Sequence, residues 1–172
     1  MKIRIYIANL NAYNNGILRG DWVNLPADEE ELQGIMNKHS SNGQHDIVIH
    51  EYEAPFEINE YAHIENLNEF CKRLAACEEK DVNLISTLFE VLDTNDEALE
   101  VLENQNYRVF NNCDSMTDVA HEYIAENGML GDIPEDIAKY FDYESYGNDM
   151  EGTFKRYQDS EDPSVFNYVE IY

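Results

Sequence analysis

The side chains best suited to do chemistry in this sequence are carboxylates, and they gather in its second half. Between Lys80 and Lys139 lie 58 residues with 14 Asp and Glu and a single base, Arg108. Four of these acids follow one another at intervals of four residues: Asp114, Asp118, Glu122 and Glu126. A helix brings such residues onto one face, with about 6 Å of axial rise between neighbours. The spacing predicts a stripe of negative charge, which we call the carboxylate stripe.

Further acids extend this stripe on both sides, and no Lys or Arg is interleaved to offset their repulsion. The remaining residues predicted to bind a partner are Asp93, Glu97, Glu100, Asp132, Glu135 and Asp136. A solvated face or adaptation to high salt stays open as an alternative. Solvated faces usually carry both signs, however, and so large a charge imbalance repels itself.

The balance of 36 acids against 11 Lys and Arg gives a formal net charge of −25. Proteins that track phosphates need clustered Lys and Arg, so direct nucleic-acid binding is not expected. Basic surfaces are the natural partners instead. Because a duplex carries one charge per about 1.7 Å, the chain carries the charge of about 42 Å of DNA. Composition alone would equally permit a calcium buffer or a chaperone for basic proteins.

Motifs for catalysis or metal binding are missing from the sequence. The five histidines form no metalloprotease pair, and His121 beside Asp118 and Glu122 fits an exposed helical histidine better than a metal ligand. A calcium-loop start at Asp93 fails because Ala98 and Asn104 stand where Gly and Glu are required. No nucleotide-binding or hydrolase glycine pattern occurs. We therefore expect neither an enzyme nor a cofactor nor a metal site, and an acidic hydrolase is the third and least favoured of the possible functions.

Hydrophobic periodicity predicts an α+β fold. Period-two patterns indicate strands over residues 2–8, 22–25 and 46–53, and Asp28 is expected to cap a short helix followed by a polar loop over 37–45. From residue 63 the period becomes helical, with one helix through residue 77 and two more separated near Thr94.

The last third of the chain mixes short helices and strands. Val109 and Phe110 suggest a short strand, and Ser115 with Asp118 forms a capping box that opens a helix ended by Gly128. Pro134 is expected at the first position of another short helix, and two β-rich runs, 153–157 and 164–172, suggest a hairpin.

Neither an export signal nor a run of about 20 apolar residues occurs, which predicts a cytoplasmic protein without a membrane span. The three cysteines, Cys71, Cys77 and Cys113, form no C-x-x-C pair. They are expected to be buried thiols.

Three segments together resemble one protein family, the ArdA antirestriction proteins. They are Ile7-Ala8-Asn9-Leu10 with the spaced Tyr13, Gly16, Gly20 and Trp22; Ile49-His50-Glu51-Tyr52-Glu53-x-Pro55-Phe56; and Gly128-x-Leu130-Gly131-Asp132-Ile133-Pro134-Glu135 running into Tyr140-Phe141-Asp142-Tyr143-Glu144-x-Tyr146. The resemblance covers nearly the whole chain. Residues 129–146 are its most specific part and correspond to the family's antirestriction motif, whereas the polar loop 158–163 departs from the pattern.

This resemblance implies an elongated chain of three small domains with a strongly acidic surface. The boundaries would be 1–62 (a mixed sheet plus a helix), 63–106 (helical) and 107–172 (α+β). It implies a non-catalytic mimic of B-form DNA that occupies the DNA-binding groove of Type I restriction-modification enzymes, at the methyltransferase core, and protects mobile DNA. It also implies a homodimer, formed through the C-terminal domain.

The residues expected in the motif and the dimer interface are Leu130, Pro134, Tyr140, Phe141, Asp142, Tyr143, Glu144 and Tyr146. Large rings mixed with acids suit an interface, although ordinary core packing explains them equally well. A chaperone or scaffold for a basic DNA-binding host protein stays open as the alternative function.

Overall fold

The computed structural model describes residues 1–40 and 46–172. Its N-terminal and central elements are β1 (Ile3–Asn9), α1 (Leu10–Asn14), β2 (Gly20–Leu25), α2 (Glu29–His39), β3 (Ile47–Glu53), α3 (Ile64–Ala76), α4 (Val82–Val91) and α5 (Asn95–Asn104). Its C-terminal elements are β4 (Tyr107–Phe110), α6 (Met116–Glu126), α7 (Glu135–Ala138), α8 (Tyr143–Met150), a 3₁₀ turn at Glu151–Thr153, β5 (Phe154–Gln158) and β6 (Phe166–Ile171). The α+β expectation is confirmed.

The first sheet has the order β2-β1-β3 and is antiparallel throughout, so the expectation of a mixed sheet is wrong. The reason is the course of α2. Ile3 of β1 pairs with Leu25 at the end of β2, whereas Asn9 at the other end of β1 pairs with Ile47 at the start of β3. The chain must therefore travel the length of the sheet between β2 and β3. A helix of 11 residues is about 16 Å long, which covers most of that distance.

Buried side chains fix how the helices lie on this sheet. Ile3, Ile5 and Ile7 of β1 are at most 4 % exposed, as the alternating sequence requires. Asp28 caps α2, accepting hydrogen bonds from the backbone N–H groups of Glu30 and Glu31. The predicted cap is therefore correct, but the helix continues to His39 and the expected loop begins too early. Residues 41–45 of that loop lie outside the described part of the chain.

A buried amide ties α3 to the end of the first sheet. Asn68 accepts a hydrogen bond from the Ala27 N–H over 2.7 Å and donates one to the Ala27 carbonyl over 3.0 Å. Because it satisfies both backbone groups at once, it fixes the register of α3 against the segment after β2. The predicted helices are confirmed as α3, α4 and α5, with Thr94 capping α5.

The second sheet has the order β4-β6-β5 and is also antiparallel, which confirms the predicted hairpin. One large buried cluster joins residues of the first sheet and of α3–α5 with Tyr157 and Val169 from the second sheet. A smaller cluster holds Phe110, Met116 and Phe154 beneath α6. The division into domains at 62 and 106 stays a prediction, and both positions fall between elements.

Sequence reasoning missed α8. Few aliphatic residues mark it, and the signal that was available is Asp142, whose carboxylate accepts the Ser145 N–H at 2.9 Å and opens the helix. Gly147 is the buried residue of α8, and a Cβ there would lie 2.4 Å from the Met116 carbonyl oxygen. A residue without a side chain is required for α8 to approach the first turn of α6.

We accordingly expect Gly147→Ala to lower the free energy of unfolding by about 1–3 kcal/mol, the usual cost of overpacking. Gly34→Ala is the matched control, because Gly34 lies within α2 with nothing near its missing Cβ. There, alanine should stabilise the protein by about 0.5–1 kcal/mol. Urea unfolding of both variants tests this, and equal effects of one sign would contradict the close approach.

The described part of the chain contains no helix able to cross a bilayer. Its longest helix, α3, has 13 residues, and a span needs about 20. The three cysteines are free and buried, as expected.

Candidate functional site

The carboxylate stripe does not lie wholly on one helix. Asp114 precedes α6, whereas Asp118, Glu122 and Glu126 lie on it. Asp118 completes the predicted capping box: its Oδ2 accepts the backbone N–H groups of Asp114 and Ser115, while the Ser115 side chain accepts the Asp118 N–H. Asp118 thus holds the start of the helix and remains exposed.

Arg108 neutralises the far end of the stripe, which corrects the expectation that no base offsets these acids. It forms an ion pair with Glu126 from the neighbouring strand β4. Its guanidinium also lies 4.5 Å from the ring centre of Phe110 and 5.7 Å from that of Tyr123. The pair could not be read from helical spacing because strand and helix meet only in the fold.

Glu122, at the middle of the stripe, is half-buried. Its Oε2 accepts a weak hydrogen bond from the Cys113 thiol over 3.8 Å. Burial first, and then the nearby carboxylates, raise the pKa of Cys113 to about 11, so the thiol is protonated at neutral pH. Within residues 1–40 and 46–172, no group of His, Cys, Asp and Glu is arranged to hold a metal ion.

The acids before and on α5 are exposed. Thr94 caps this helix by accepting the Glu97 N–H, so Asp93 lies just before the helix, and Glu97 and Glu100 lie on it. Arg73 of α3 is engaged by Glu103, with two nitrogen–oxygen distances of 2.8 and 2.7 Å. Arg73 thereby balances the negative charge of Glu103 within the chain and holds the pKa of its carboxyl below the usual value. No base pairs with Asp93, Glu97 or Glu100 among the described ion pairs.

The third group of acids surrounds α7. Asp132 and Asp136 are exposed, and the side chain of Glu135 lies outside what the structure describes. Pro134 directly precedes α7, one position earlier than predicted, and its carbonyl accepts the N–H groups of Ile137 and Ala138. Among the predicted acids whose side chains the structure describes, Glu122 is half-buried and all the others are exposed.

The rings of residues 140–146 divide into an exposed one and a packed group. Tyr140 is 78 % exposed. Phe141 lies 4.9 Å from Tyr143 and 5.7 Å from Tyr146, centre to centre, and Tyr143 stacks on His121 of α6 at 3.5 Å. The packed rings therefore attach α8 to α6, as ordinary packing would, while Tyr140 is left outside.

Of the two acids in this segment, Asp142 is held by a neighbouring side chain, whereas Glu144 is exposed. Asp142 is engaged by Ser145, and hydrogen bonds from the Ser145 N–H and hydroxyl hold the pKa of the Asp142 carboxyl below its usual value. Leu130 is half-buried near the loop that leads to α7.

Exposed apolar side chains accompany Tyr140 in this segment, and sequence reasoning did not single them out. Met129, Ile133 and Ile137 are 52 %, 40 % and 56 % exposed. Ile133, Ile137 and Tyr140 are four and three residues apart, the spacing that places side chains on one face of a helix. Apolar residues at this spacing in an otherwise polar segment were the sequence signal that could have predicted an exposed apolar surface. We call Met129, Ile133, Ile137 and Tyr140 the apolar strip.

The sequence model described as antirestriction protein (ArdA) matches residues 5–160. The chain belongs to the ArdA family of antirestriction proteins. No curated protein sequence matches it. The ArdA match contains the carboxylate stripe and the apolar strip, and it ends in the loop between β5 and β6. Strand β6, the central strand of the second sheet, therefore lies beyond the matched region.

The capping geometry predicts that two acids of the stripe differ in their effect on stability. Asp118→Ala should lower the free energy of unfolding by about 1 kcal/mol, because it removes the acceptor of the capping box. Asp114→Ala is the matched control, since only the backbone N–H of Asp114 takes part in the box. Thermal and urea unfolding measure both, and an equal change in the two variants, of either sign, would contradict the capping role of Asp118.

Proposed function

We propose that this ArdA protein inhibits Type I restriction-modification enzymes by occupying their DNA-binding groove as a mimic of B-form DNA. The observation that carries this proposal is the exposed set of acids on α5, on α6 and beside α7. A groove that binds DNA is lined with Lys and Arg that neutralise phosphates, and carboxylates at comparable spacing can replace those phosphates.

The way these acids are held supports the proposal. Thr94 caps α5, Ser115 and Asp118 form the capping box of α6, and both helices, which carry half of the predicted acids, pack on buried clusters. Carboxylates on helices fixed in this way need little ordering when they bind, whereas a flexible acidic chain would lose conformational entropy. The array also presents charge without base edges. It would therefore inhibit enzymes of different sequence specificity, and modification along with cleavage.

The apolar strip supports a homodimer. Four apolar side chains within residues 129–140 are exposed to water. Apolar side chains clustered on a surface are typical of protein–protein interfaces. A two-fold axis through this strip would bury it against its own copy and place two acidic arms in one assembly. Two chains would together carry the charge of about 85 Å of duplex.

Displacement of DNA from a purified Type I methyltransferase core tests the proposed function. A fluorescent duplex bound to the enzyme is titrated with the protein at several salt concentrations. We expect displacement at about one dimer per enzyme, weakening as salt rises because charge drives the binding. An absence of displacement at low salt would contradict the proposal and favour the alternative, a chaperone or scaffold for another basic protein.

The dimer has its own test in Tyr140→Asp. A charge placed in the apolar strip should convert the dimer to a monomer, because an unpaired charge at a buried interface is costly. Tyr61→Asp is the matched control, since Tyr61 is comparably exposed, at 71 %, and lies outside the strip. Sedimentation velocity distinguishes the two, and a Tyr140→Asp variant that remains dimeric would rule out this interface.

A further inference from the structure

A cleft of about 570 Å³ separates the segment after β3 from the junction of α4 and α5. Three rings line it: Tyr52 from β3, Phe56 from the segment that follows, and Phe89 from α4. Phe89 is half-buried and Tyr52 is 40 % exposed, so part of this aromatic surface is open to a ligand. The predicted array included only one residue of the cleft, Asp93.

Two of the three rings, Phe56 and Phe89, pack against each other and against a phenylalanine behind the cleft. The centre of Phe56 lies 4.9 Å from that of Phe89 and 5.1 Å from that of Phe70 on α3. Phe70 and Phe89 are 6.1 Å apart, which completes a packed triangle behind the cleft. Phe56 and Phe89 therefore form a packed part of the wall, and Tyr52 lies outside this triangle.

Three carboxylates lie at the rim of this wall: Glu57, Glu90 and Asp93. All three are exposed. Neither Lys nor Arg is among the residues that line the cleft, and no described ion pair involves any of the three acids. Asn95 donates a hydrogen bond to the Glu57 carbonyl over 3.1 Å, which ties the start of α5 to the opposite wall.

The chain shows elsewhere what occupies such a combination of ring and carboxylate. The guanidinium of Arg4 lies 4.4 Å from the ring centre of Trp22, while its Nε donates to Glu53 over 2.7 Å. Arg108 likewise lies over Phe110 and pairs with Glu126. Planar guanidinium stacks on a ring and forks onto a carboxylate at the same time, which the compact ammonium of lysine does less well.

We propose that this cleft receives an arginine side chain from the basic surface of the protein that the acidic array binds. The guanidinium stacks on Phe89 or Tyr52 and donates to the carboxylates of Glu57, Glu90 and Asp93. This inference rests on the proposed function for the source of the arginine. It adds a single anchoring pocket to a surface that otherwise acts through distributed charge, much as a few buried anchors dominate other interfaces.

The first experiment compares two variants with the same change of charge. Glu57→Gln/Glu90→Gln removes two acids of the cleft rim that lie outside the acidic array, and Asp149→Asn/Glu161→Gln removes two exposed acids of the C-terminal segment that lie outside both. In the DNA-displacement titration, the cleft variant should be weakened at least about tenfold more than the control, the effect of losing a central anchor. Equal weakening of both variants would overturn the cleft and leave the proposed function standing.

The second experiment needs no partner enzyme. The full chain is titrated with the tripeptide acetyl-Gly-Arg-Gly-amide while the ring signals of Phe89 and Tyr52 are followed by NMR. Those signals should shift in the wild-type protein, shift less with acetyl-Gly-Lys-Gly-amide, and stay unchanged in the cleft variant.

The two experiments separate the two proposals. If the wild-type protein displaces no DNA, the proposed function fails, and the ring signals alone decide whether the cleft takes an arginine. Ring signals that stay still with the arginine peptide, or move equally in the cleft variant, would overturn the cleft.

Discussion

Repulsion among 25 excess negative charges is the constraint on which the rest of this structure depends. Carboxylates at helical spacing destabilise the helix that carries them, so something other than surface charge must hold the acids in place. The buried clusters supply it. The larger one draws on the first sheet, on α3–α5 and on Val169 of the second sheet, so the helix α5 is anchored from several directions. The apolar side chains on the inner faces of the helices are therefore what allows their outer faces to be so acidic.

The acids themselves fall into different physical roles. Asp28 and Asp142 act as helix caps, and Asp118 completes the capping box of Ser115. Glu53, Glu103 and Glu126 are paired with arginines. Asp93, Glu97 and Glu100 have no cation among the described ion pairs; Asp93 directly precedes the capped helix α5, and the other two lie on it. Net charge thus overstates the charge offered to a partner. Some carboxylates hold helix ends or bind arginines within the chain, and they thereby fix the helices that present the other carboxylates to solvent.

Local patterns in the sequence predicted many of the helices and strands. The alternation at Ile3, Ile5 and Ile7, and the capping residues Asp28 and Ser115, depend on interactions within a few residues, and each led to an element that the structure contains. The antiparallel sense of β3 and the helix α8 were not anticipated. Strand direction depends on how far α2 carries the chain, and α8 depends on a glycine that lies against a distant carbonyl.

The candidate site shows the same limit. Helical spacing identified the stripe, but it could not show that Arg108 reaches Glu126 from β4, because that contact joins residues 18 positions apart through the fold. Nor could it show the cleft, whose rings come from β3, the segment after it and α4. The sequence also could not show which aromatic side chains are exposed. Tyr140 and Phe141 are adjacent aromatic residues, yet Phe141 packs against Tyr143 whereas Tyr140 is exposed.

The position of β6 has a consequence for how the protein is made. This strand lies between β4 and β5, sends Val169 into the large buried cluster and Tyr168 into the small one, and comes about 60 residues after β4 in the chain. During synthesis β4 emerges from the ribosome long before β6, the strand it pairs with among the described strands, exists. The second sheet must wait for residues 166–171 to be translated, whereas the first sheet can form from the initial 53 residues. Folding of the newborn chain is therefore expected to proceed from the N-terminal sheet, and the second sheet is completed only when β6 has been made.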